Sequence, residues 1–220
     1  MNSTPLQKSL LQVADWGLLG YEVALERQLA LVQALQQGSA EETLVLVEHP
    51  PIVTLGRRGS DGDLRVPVEQ FSAAGVSVQN INRGGLATAH EPGQMVAYPI
   101  VAIKRKDLRW FAETLLKTVI AVLADYGLQG ELKLGEPGVW VNRKKICSFG
   151  IAVKKWISCH GIALNVNNDL QTFNMIIPCG RPEEQVTSVA KELGYQPDLP
   201  ELKEKFVQHF LAAFEYRGKS

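Results

Sequence analysis

The feature that most constrains the fold of this chain is a series of short apolar runs with the pattern of β-strands. Thr43–Glu48, Ile52–Leu55 and Met95–Ile103 are rich in β-branched and aliphatic residues. Runs of this length, bounded by glycine and proline, are typical of buried strands rather than helices. The sequence therefore predicts a sheet whose strands come from well-separated parts of the chain.

Two longer stretches have the same character. Gly138–Val153 and Lys155–Val166 are predicted to be adjacent strands. Side chains alternate between the two faces of a strand. The second stretch should therefore place Ser158, His160, Ile162 and Leu164 on one face and Cys159, Gly161, Ala163 and Asn165 on the other.

Three helices are predicted around these strands. The first spans Tyr21–Gln37; the second is capped by Asp107 and ended by Gly127. The third begins near Asp198 and Pro200. Helices at both ends and in the middle of a group of strands predict an α+β fold, with a mixed or antiparallel sheet flanked by helices.

Length and charge limit the function classes. A chain of 220 residues suits one domain, and only about the first ten residues look flexible. Lysine plus arginine equals aspartate plus glutamate at 23 each, so no basic field favours nucleic acid. We expect no membrane span, no signal peptide and, from three separated cysteines, a cytoplasmic protein with reduced thiols.

Cys179 is the candidate nucleophile. It stands in Ile177–Gly180, where proline and glycine predict a turn that can present a thiol to a cleft. A free cysteine is more often a small buried hydrophobe, and strand patterns favour that interpretation for Cys147 and Cys159. Local sequence leaves both interpretations open for Cys179.

A cysteine nucleophile needs a cation beside it. The free thiol has a pKa of about 8.5, so only about 3% is thiolate at pH 7. Lys144 and Lys145 are adjacent in a predicted strand, so one faces inward and the other outward. Alternation alone does not decide which, and most lysines lie on the solvated surface.

Other chemistries find little support. The cysteines and histidines contain no pair with CxxC or HxxxH spacing, so no metal is expected. Neither a P-loop nor a GxGxxG fingerprint occurs, and no GxSxG elbow is present. We therefore predict no nucleotide or metal cofactor.

The stretch Arg83–Tyr98 (RGGLATAHEPGQMVAY) resembles the most characteristic motif of the octanoyltransferase family, also called lipoate-protein ligase B. It matches the Arg, both Gly, the Thr, His, Gly, Gln and Tyr of the family pattern. Further similar blocks follow the family order: Glu48–Gly56 (EHPPIVTLG), Lys145–Gly150 (KICSFG), His160–Asn165 (HGIALN), Pro178–Gly180 (PCG) and Val186–Ser188 (VTS). The resemblance covers about residues 16–214.

This resemblance implies a fold related to biotin and lipoate protein ligases. It implies that Cys179 accepts the acyl group and that Lys145, rather than Lys144, activates it. The residues implied to bind substrate are Arg83, Gly84, Gly85, Leu86, Ala87, Thr88, Ala89, His90, Ser148, Phe149, Gly150, Gly161, Ile162 and Ala163. His90 is more readily interpreted as a structural hydrogen-bonding residue than as a catalytic one.

The implied reaction is the first step of endogenous protein lipoylation. An octanoyl group moves from octanoyl-acyl carrier protein to a lysine of a lipoyl domain. The implied acceptors are the lipoyl domains of 2-oxoacid dehydrogenase complexes or the glycine cleavage H protein. The thioester is already activated, so neither ATP nor another cofactor is required.

Three positions depart from the usual family pattern. Leu86 stands where glutamine is common, Ala89 where an aromatic residue is usual, and Glu91 where glycine is frequent. The preferred acyl length therefore stays open.

Two other functions compete with acyl transfer. An ATP-dependent lipoate or biotin ligase on the same fold needs no cysteine, and the Pro-Cys-Gly turn argues against it. A non-catalytic module that docks carrier or lipoyl domains needs a basic surface for an acidic partner. Four clusters qualify for either the enzyme or the module: Arg57–Arg58, Lys104–Lys106, Arg143–Lys144 and Lys154–Lys155.

Overall fold

The computed structural model describes residues 9–177 and 181–219. The strands are β1 (Leu10–Leu18), β2 (Thr43–Glu48), β3 (Ile52–Leu55), β4 (Ser77–Asn80), β5 (Ala87–His90), β6 (Gln94–Ile100), β7 (Glu131–Lys133), β8 (Glu136–Val141), β9 (Lys144–Lys154), β10 (Ile157–Asn165) and β11 (Arg217–Lys219). The helices are α1 (Tyr21–Gln36), α2 (Val68–Ala73), α3 (Leu108–Asp125), α4 (Val189–Leu193) and α5 (Leu199–Ala213). Short 3-10 helices span Asp61–Asp63 and Thr172–Met175.

The described strands form two sheets. The larger has eight strands in the order β11-β1-β2-β6-β10-β9-β8-β7. In this sheet β1 pairs in parallel with β2 and β11. The other five neighbouring pairs, β2-β6, β6-β10, β10-β9, β9-β8 and β8-β7, are antiparallel. The smaller has the order β4-β3-β5, with one parallel and one antiparallel pair. The sheet is therefore mixed.

Helices cover both faces of the large sheet. On one face, Leu115 of α3 and Phe206 of α5 belong to the main core cluster. On the other, Val32 of α1 packs with Val45 and Val96 of the sheet. Burying a side chain of this size contributes about 1.5–3 kcal/mol. The predicted α+β fold, a mixed sheet flanked by helices, is confirmed.

The predicted helix ends match local chemistry. Gly38 follows α1 with φ of 71°, a left-handed conformation that glycine adopts without strain. The Asp107 carboxylate accepts a hydrogen bond from the Trp110 N–H, and the Asp198 carboxylate accepts one from the Glu201 N–H. These side chains satisfy N–H groups that have no partner within the helix.

Some predicted boundaries were wrong. Gly138–Val153 is two strands, β8 and β9, joined by a turn at Asn142 and Arg143. Both turn residues have positive φ, 49° and 68°, the conformation of a tight two-residue hairpin. Neither glycine nor proline marks this turn, so its sequence signal is weak.

The first strand was also missed. Leu10 begins β1, although the first ten residues were predicted to be flexible; residues 1–8 lie outside the described part of the chain. The short helix α2 was not predicted either. Within the described residues, no helix is long and apolar enough to cross a membrane.

Gly161 marks a close approach between β10 and β6. A Cβ atom at this position would overlap the carbonyl oxygen of Ala97 and lie 2.8 Å from Cδ of Pro99. Backbone cannot yield as a flexible side chain can, so the central strand pair depends on glycine here.

We therefore predict that Gly161→Ala lowers the free energy of unfolding by about 1–3 kcal/mol, because the added methyl group forces the strands apart. Urea denaturation gives the measurement. Gly20→Ala is the matched control, since a Cβ there meets no atom within 4 Å, and we expect a change below about 0.5 kcal/mol. Equal unfolding midpoints for Gly161→Ala and wild type would contradict the prediction.

Candidate functional site

A small, partly open cavity lies among α1, β5, β6, β9 and β10. It is lined by Tyr21, Arg83, Thr88, His90, Val96, Tyr98, Ser148, Phe149, Gly150, His160, Gly161, Ile162 and Ala163. Three motif blocks that are far apart in sequence meet at this cavity. We therefore take it as the candidate binding site.

All fourteen residues predicted to bind substrate lie in the described part of the chain, and nine of them line this cavity: Arg83, Thr88, His90, Ser148, Phe149, Gly150, Gly161, Ile162 and Ala163. The other five do not. Ala87 and Ala89 pack with Phe71 in a separate core cluster. Gly84, Gly85 and Leu86 belong to the turn before β5. The missing aromatic at position 89 therefore affects that core rather than the cavity wall.

Four lining residues were not predicted to bind substrate: Tyr21, Val96, Tyr98 and His160. Val96, Tyr98 and His160 belong to motif blocks, so the resemblance could have found them. Tyr21 begins α1 and carries no local signal. Only the packing of α1 against β10 brings it to the site.

Arg83 shapes the turn that it begins. The residue is 7% exposed, and its guanidinium donates hydrogen bonds to the carbonyl and hydroxyl oxygens of Thr54 and to the Gly84 carbonyl. Gly150 faces this turn, and a Cβ there would lie 2.9 Å from the Gly84 oxygen. The arginine and the glycines thus fix how closely the turn approaches β9.

Three of the chain's four histidines gather at the cavity with two tyrosines. His49 lies 5.1 Å from Tyr21, 5.6 Å from His90 and 6.0 Å from Tyr98, between ring centroids. The Tyr98 and His160 rings are 6.4 Å apart. This group, Tyr21, His49, His90, Tyr98 and His160, is called the ring cluster below.

Hydrogen bonds fix the tautomers of two of these histidines. Nδ1 of His49 is 2.7 Å from the Leu19 carbonyl oxygen, so it carries the proton, and Nε2 accepts from the Tyr98 hydroxyl at 2.8 Å. Gln94 donates through Nε2 to the Ala89 carbonyl, which leaves its Oε1 to accept from Nδ1 of His90 at 2.8 Å. Nε2 of His90 therefore carries a lone pair.

Burial keeps the ring cluster uncharged. It lowers the pKa of His49 and of His160 to about 4, and it lowers the pKa of His90 well below its usual value. Burial likewise raises the pKa of Tyr21 and of Tyr98. At neutral pH these rings carry no charge, so this part of the cavity suits an uncharged ligand.

These shifts predict acid sensitivity. Unfolded histidines take up a proton near pH 6.5, whereas folded His49 and His160 do so near pH 4. Between these values the unfolded state binds more protons. The free energy of unfolding should therefore fall as the pH drops from about 6.5 towards 4, by a few kcal/mol in all, because one pKa unit corresponds to about 1.4 kcal/mol.

Urea denaturation at several pH values tests this expectation. His160→Asn removes one titrating ring, and asparagine tolerates the positive φ of 61° at this position. We expect its stability to depend less steeply on pH than that of wild type. Identical slopes for the two proteins would show that His160 does not contribute.

A β-bulge in β9 decides which way Lys145 faces. Val139 of β8 pairs with Cys147 of β9, but the next residue of β8, Trp140, pairs with Lys145. Ile146 is therefore an extra residue in β9 with no partner in β8. Ile146 and Cys147 consequently both pack in the main core. Lys145 then lies on the opposite face, beside Trp140. Strict alternation would instead have placed it on the face of Cys147.

Lys145 is held in a defined, buried environment. It is 3% exposed, and its Nζ lies 5.1 Å from the centroid of the Trp140 ring. Its backbone N–H donates to the Gln185 carbonyl, and its carbonyl accepts from the Thr187 N–H. Beyond the bulge, Ser148 lies on the same face and lines the cavity.

The neighbouring lysine is different. The Lys144 side chain is 43% exposed, and its ammonium lies 3.6 Å from the Glu192 carboxylate. The structure thus separates a buried lysine on the cavity face from an exposed one.

The three cysteines also differ. Cys147 and Cys159 are buried, and burial raises their pKa to about 12 and about 11. Both are therefore unreactive thiols at neutral pH, as their strand patterns predicted. Cys179 lies outside the described residues, together with Pro178 and Gly180.

Glu91, a departure from the family pattern, anchors the loop after β10. It is 4% exposed, and its carboxylate accepts hydrogen bonds from Asn168 Nδ2 and from the N–H groups of Leu170 and Thr172. Leu170 has φ of 69°, an unusual conformation for leucine. The carboxylate thus holds the loop in this unusual conformation.

No metal site is found in the part of the chain that the structure describes: no three His, Cys, Asp or Glu residues there are grouped so as to hold an ion.

Comparisons with known proteins agree on one family. Residues 20–211 match the model of the lipoyl protein ligase A/B catalytic domain. The chain is 42% identical over 207 residues to the octanoyltransferase of Nitratidesulfovibrio vulgaris (strain DSM 19637 / Miyazaki F), covering 93% of this chain and 94% of that protein.

Solved structures show the same fold. A lipoate protein ligase of T. acidophilum with bound lipoic acid superimposes with a TM-score of 0.78 at 18% identity, over 97% of this chain and 88% of that one. The biotin protein ligase of Aquifex aeolicus in complex with biotin and ATP gives a TM-score of 0.55 at 14% identity, over 95% and 71%. The similarity to biotin and lipoate protein ligases confirms the predicted fold.

Proposed function

This chain belongs to the octanoyltransferase family, which has the lipoyl protein ligase A/B catalytic domain, and from that membership we propose how its residues move an acyl group. The chain is an acyltransferase that transfers octanoyl groups in protein lipoylation. The detailed proposal rests on the cavity, with its neutral ring cluster, and on the bulge that turns Lys145 towards the same face of the sheet.

The cavity holds the acyl chain. The ring cluster is neutral, so an aliphatic chain meets no charge from it. Burying each methylene contributes about 0.8 kcal/mol. The seven carbons beyond the carbonyl of an octanoyl group therefore supply roughly 5–6 kcal/mol before losses, enough to discriminate against much shorter chains.

Cys179 takes the acyl group first. Its thiolate attacks the carbonyl carbon of the donor thioester, and the carbon–sulfur bond to the carrier breaks. The carrier thiolate takes a proton from the Lys145 ammonium and leaves as a thiol. The ammonium of Lys145 stabilises the thiolate before attack. The product is a thioester on Cys179.

The acceptor lysine completes the reaction. Its ammonium must lose a proton before the nitrogen can attack, because its pKa in water is about 10.4. Lys145, neutral after giving its proton to the leaving carrier, takes this proton. The amine then attacks the thioester carbonyl, the carbon–sulfur bond to Cys179 breaks, and the nitrogen loses one proton to solvent, so that the amide forms and the Cys179 thiolate is released.

The partners follow from the family. Lipoyl domains are the acceptors. We propose that octanoyl-acyl carrier protein is the donor. We propose also that the lipoyl domains belong to 2-oxoacid dehydrogenase complexes or to the glycine cleavage H protein.

Two basic clusters adjoin the site. Arg57 and Arg58 donate backbone hydrogen bonds to Arg83 and Gly85, and Arg143 lies in the hairpin before Lys145. The cytoplasmic location stays a prediction.

An ATP-dependent ligase is the alternative on the same fold, since the similar biotin protein ligase is described with ATP. Structural likeness at that level of identity does not separate the two reactions. The curated relatives and the cysteine favour transfer from a thioester.

Intact-protein mass spectrometry tests the covalent step. The purified chain is mixed with octanoyl-loaded acyl carrier protein without ATP, beside a Cys179→Ala control. We expect a mass gain of one octanoyl group that hydroxylamine removes, absent from the control. If neither protein gains mass although carrier loading is confirmed, the proposed acyl-enzyme is wrong.

Lys145→Met and Lys144→Met are a matched pair of variants that tests the role of Lys145. Both remove one ammonium at nearly the same place in the chain, but only Lys145 is buried on the cavity face. We expect Lys145→Met to slow acyl-enzyme formation about 10²- to 10⁴-fold and Lys144→Met to change it less than about threefold. Quenched-flow mass spectrometry gives the rates, and similar losses in the two variants would contradict the role of Lys145.

A further inference from the structure

The segment at residues 63–65 is attached to the chain just before the proposed catalytic turn. The Arg65 N–H donates to the Met175 carbonyl, and the Ile177 N–H donates to the Asp63 carbonyl at 2.7 Å. Leu64 and Ile176 form an antiparallel bridge between these bonds. The upstream flank of the turn therefore lies against a fixed piece of backbone.

That backbone is itself held by hydrogen bonds. It follows the 3-10 helix at Asp61–Asp63, which is closed by a capping box between Ser60 and Asp63. Asp63 is 7% exposed. The anchor is thus a capped, partly buried structure rather than a free loop.

The side chain of Arg65 reaches both flanks of the turn. Its Nε donates to the Ile176 carbonyl at 2.7 Å, and its Nη2 donates to the Pro182 carbonyl at 2.7 Å. Five residues, 177–181, separate these two acceptors in sequence, and Cys179 is the middle one. A single planar group thereby sets the distance between the two ends of this short segment.

The downstream flank continues to the proposed activating lysine. Trp140 Nε1 donates to the Glu184 carboxylate at 2.9 Å. The Lys145 N–H donates to the Gln185 carbonyl, and the Thr187 N–H donates to the Lys145 carbonyl. Arg65 therefore connects the upstream flank to a segment that is hydrogen-bonded to the strand of Lys145.

We infer that Arg65 is a positioning residue for acyl transfer, which fixes the segment carrying Cys179 relative to Lys145. The inference rests on the proposed function of that pair. Thiolate stabilisation depends on the distance to the cation, and a displacement of about 1 Å can cost 10²-fold in rate. The two bonds need the rigid fork of a guanidinium, which a lysine ammonium does not provide.

The test compares Arg65→Gln and Arg65→Lys with wild type in two measurements. One is the rate of acyl-enzyme formation from octanoyl-acyl carrier protein. The other is the pH dependence of Cys179 alkylation by iodoacetamide, followed by peptide mass spectrometry. Arg217→Gln is the control, because it removes an exposed arginine from β11, at the opposite edge of the sheet from β8.

We expect both Arg65 variants to form acyl-enzyme about 10- to 100-fold more slowly. Their alkylation midpoint should move to higher pH, towards the value of about 8.5 for a free thiol. Arg217→Gln should match wild type in both measurements. Because Arg65→Lys keeps the charge, failure to rescue would show that the fork geometry matters.

Two results would overturn the inference. One is an Arg65→Gln rate within twofold of wild type. The other is a slower rate with an unchanged alkylation midpoint, which a mere loss of folded protein would also give. Wild-type protein that alkylates normally but forms no acyl-enzyme would instead contradict the proposed function, and the alkylation comparison would still test the positioning role.

Discussion

The extra residue in β9 is the constraint on which the arrangement of this site depends. Without the bulge, Lys145 would lie on the face of Cys147, in the apolar core that α3 and α5 cover. With it, Ile146 and Cys147 both fill that core and Lys145 turns towards Trp140. Packing on one face of the sheet thus determines which side chains lie on the other face, because both faces share the same backbone.

The ring cluster shows how polar residues can be buried in the wall of a cavity. His49 and His90 each donate a hydrogen bond from Nδ1 to a neighbouring oxygen, and Nε2 of His49 accepts one from the Tyr98 hydroxyl. Hydrogen bonds offset the cost of burying these groups, while burial itself suppresses their charge. The motif histidine at position 90 is therefore a neutral, hydrogen-bonded residue of the cavity wall.

A buried chain of amides links the motif blocks to one another. Gln94 connects His90 to Asn165, since its Nε2 donates to the Asn165 oxygen at 2.9 Å. Asn165 in turn donates to the carbonyl of Thr187, whose N–H bonds the backbone of Lys145. Blocks more than 90 residues apart in sequence therefore form one hydrogen-bonded unit. Loss of one member would leave buried polar atoms unsatisfied, which makes such networks cooperative.

The sequence by itself determined the secondary structure that rests on local chemistry: the helices capped by Asp107 and Asp198, the strands β2 and β3, and the α+β class. The motif blocks also indicated the family and most of the residues that line the cavity. Only the tertiary structure decided the rest. Alternation could not choose between Lys144 and Lys145, because a bulge is set by packing against α3 and α5. Tyr21 and Arg65 carry no local signal, because the side-chain hydrogen bonds that hold them, to His160 and Ile176, join residues more than 100 positions apart.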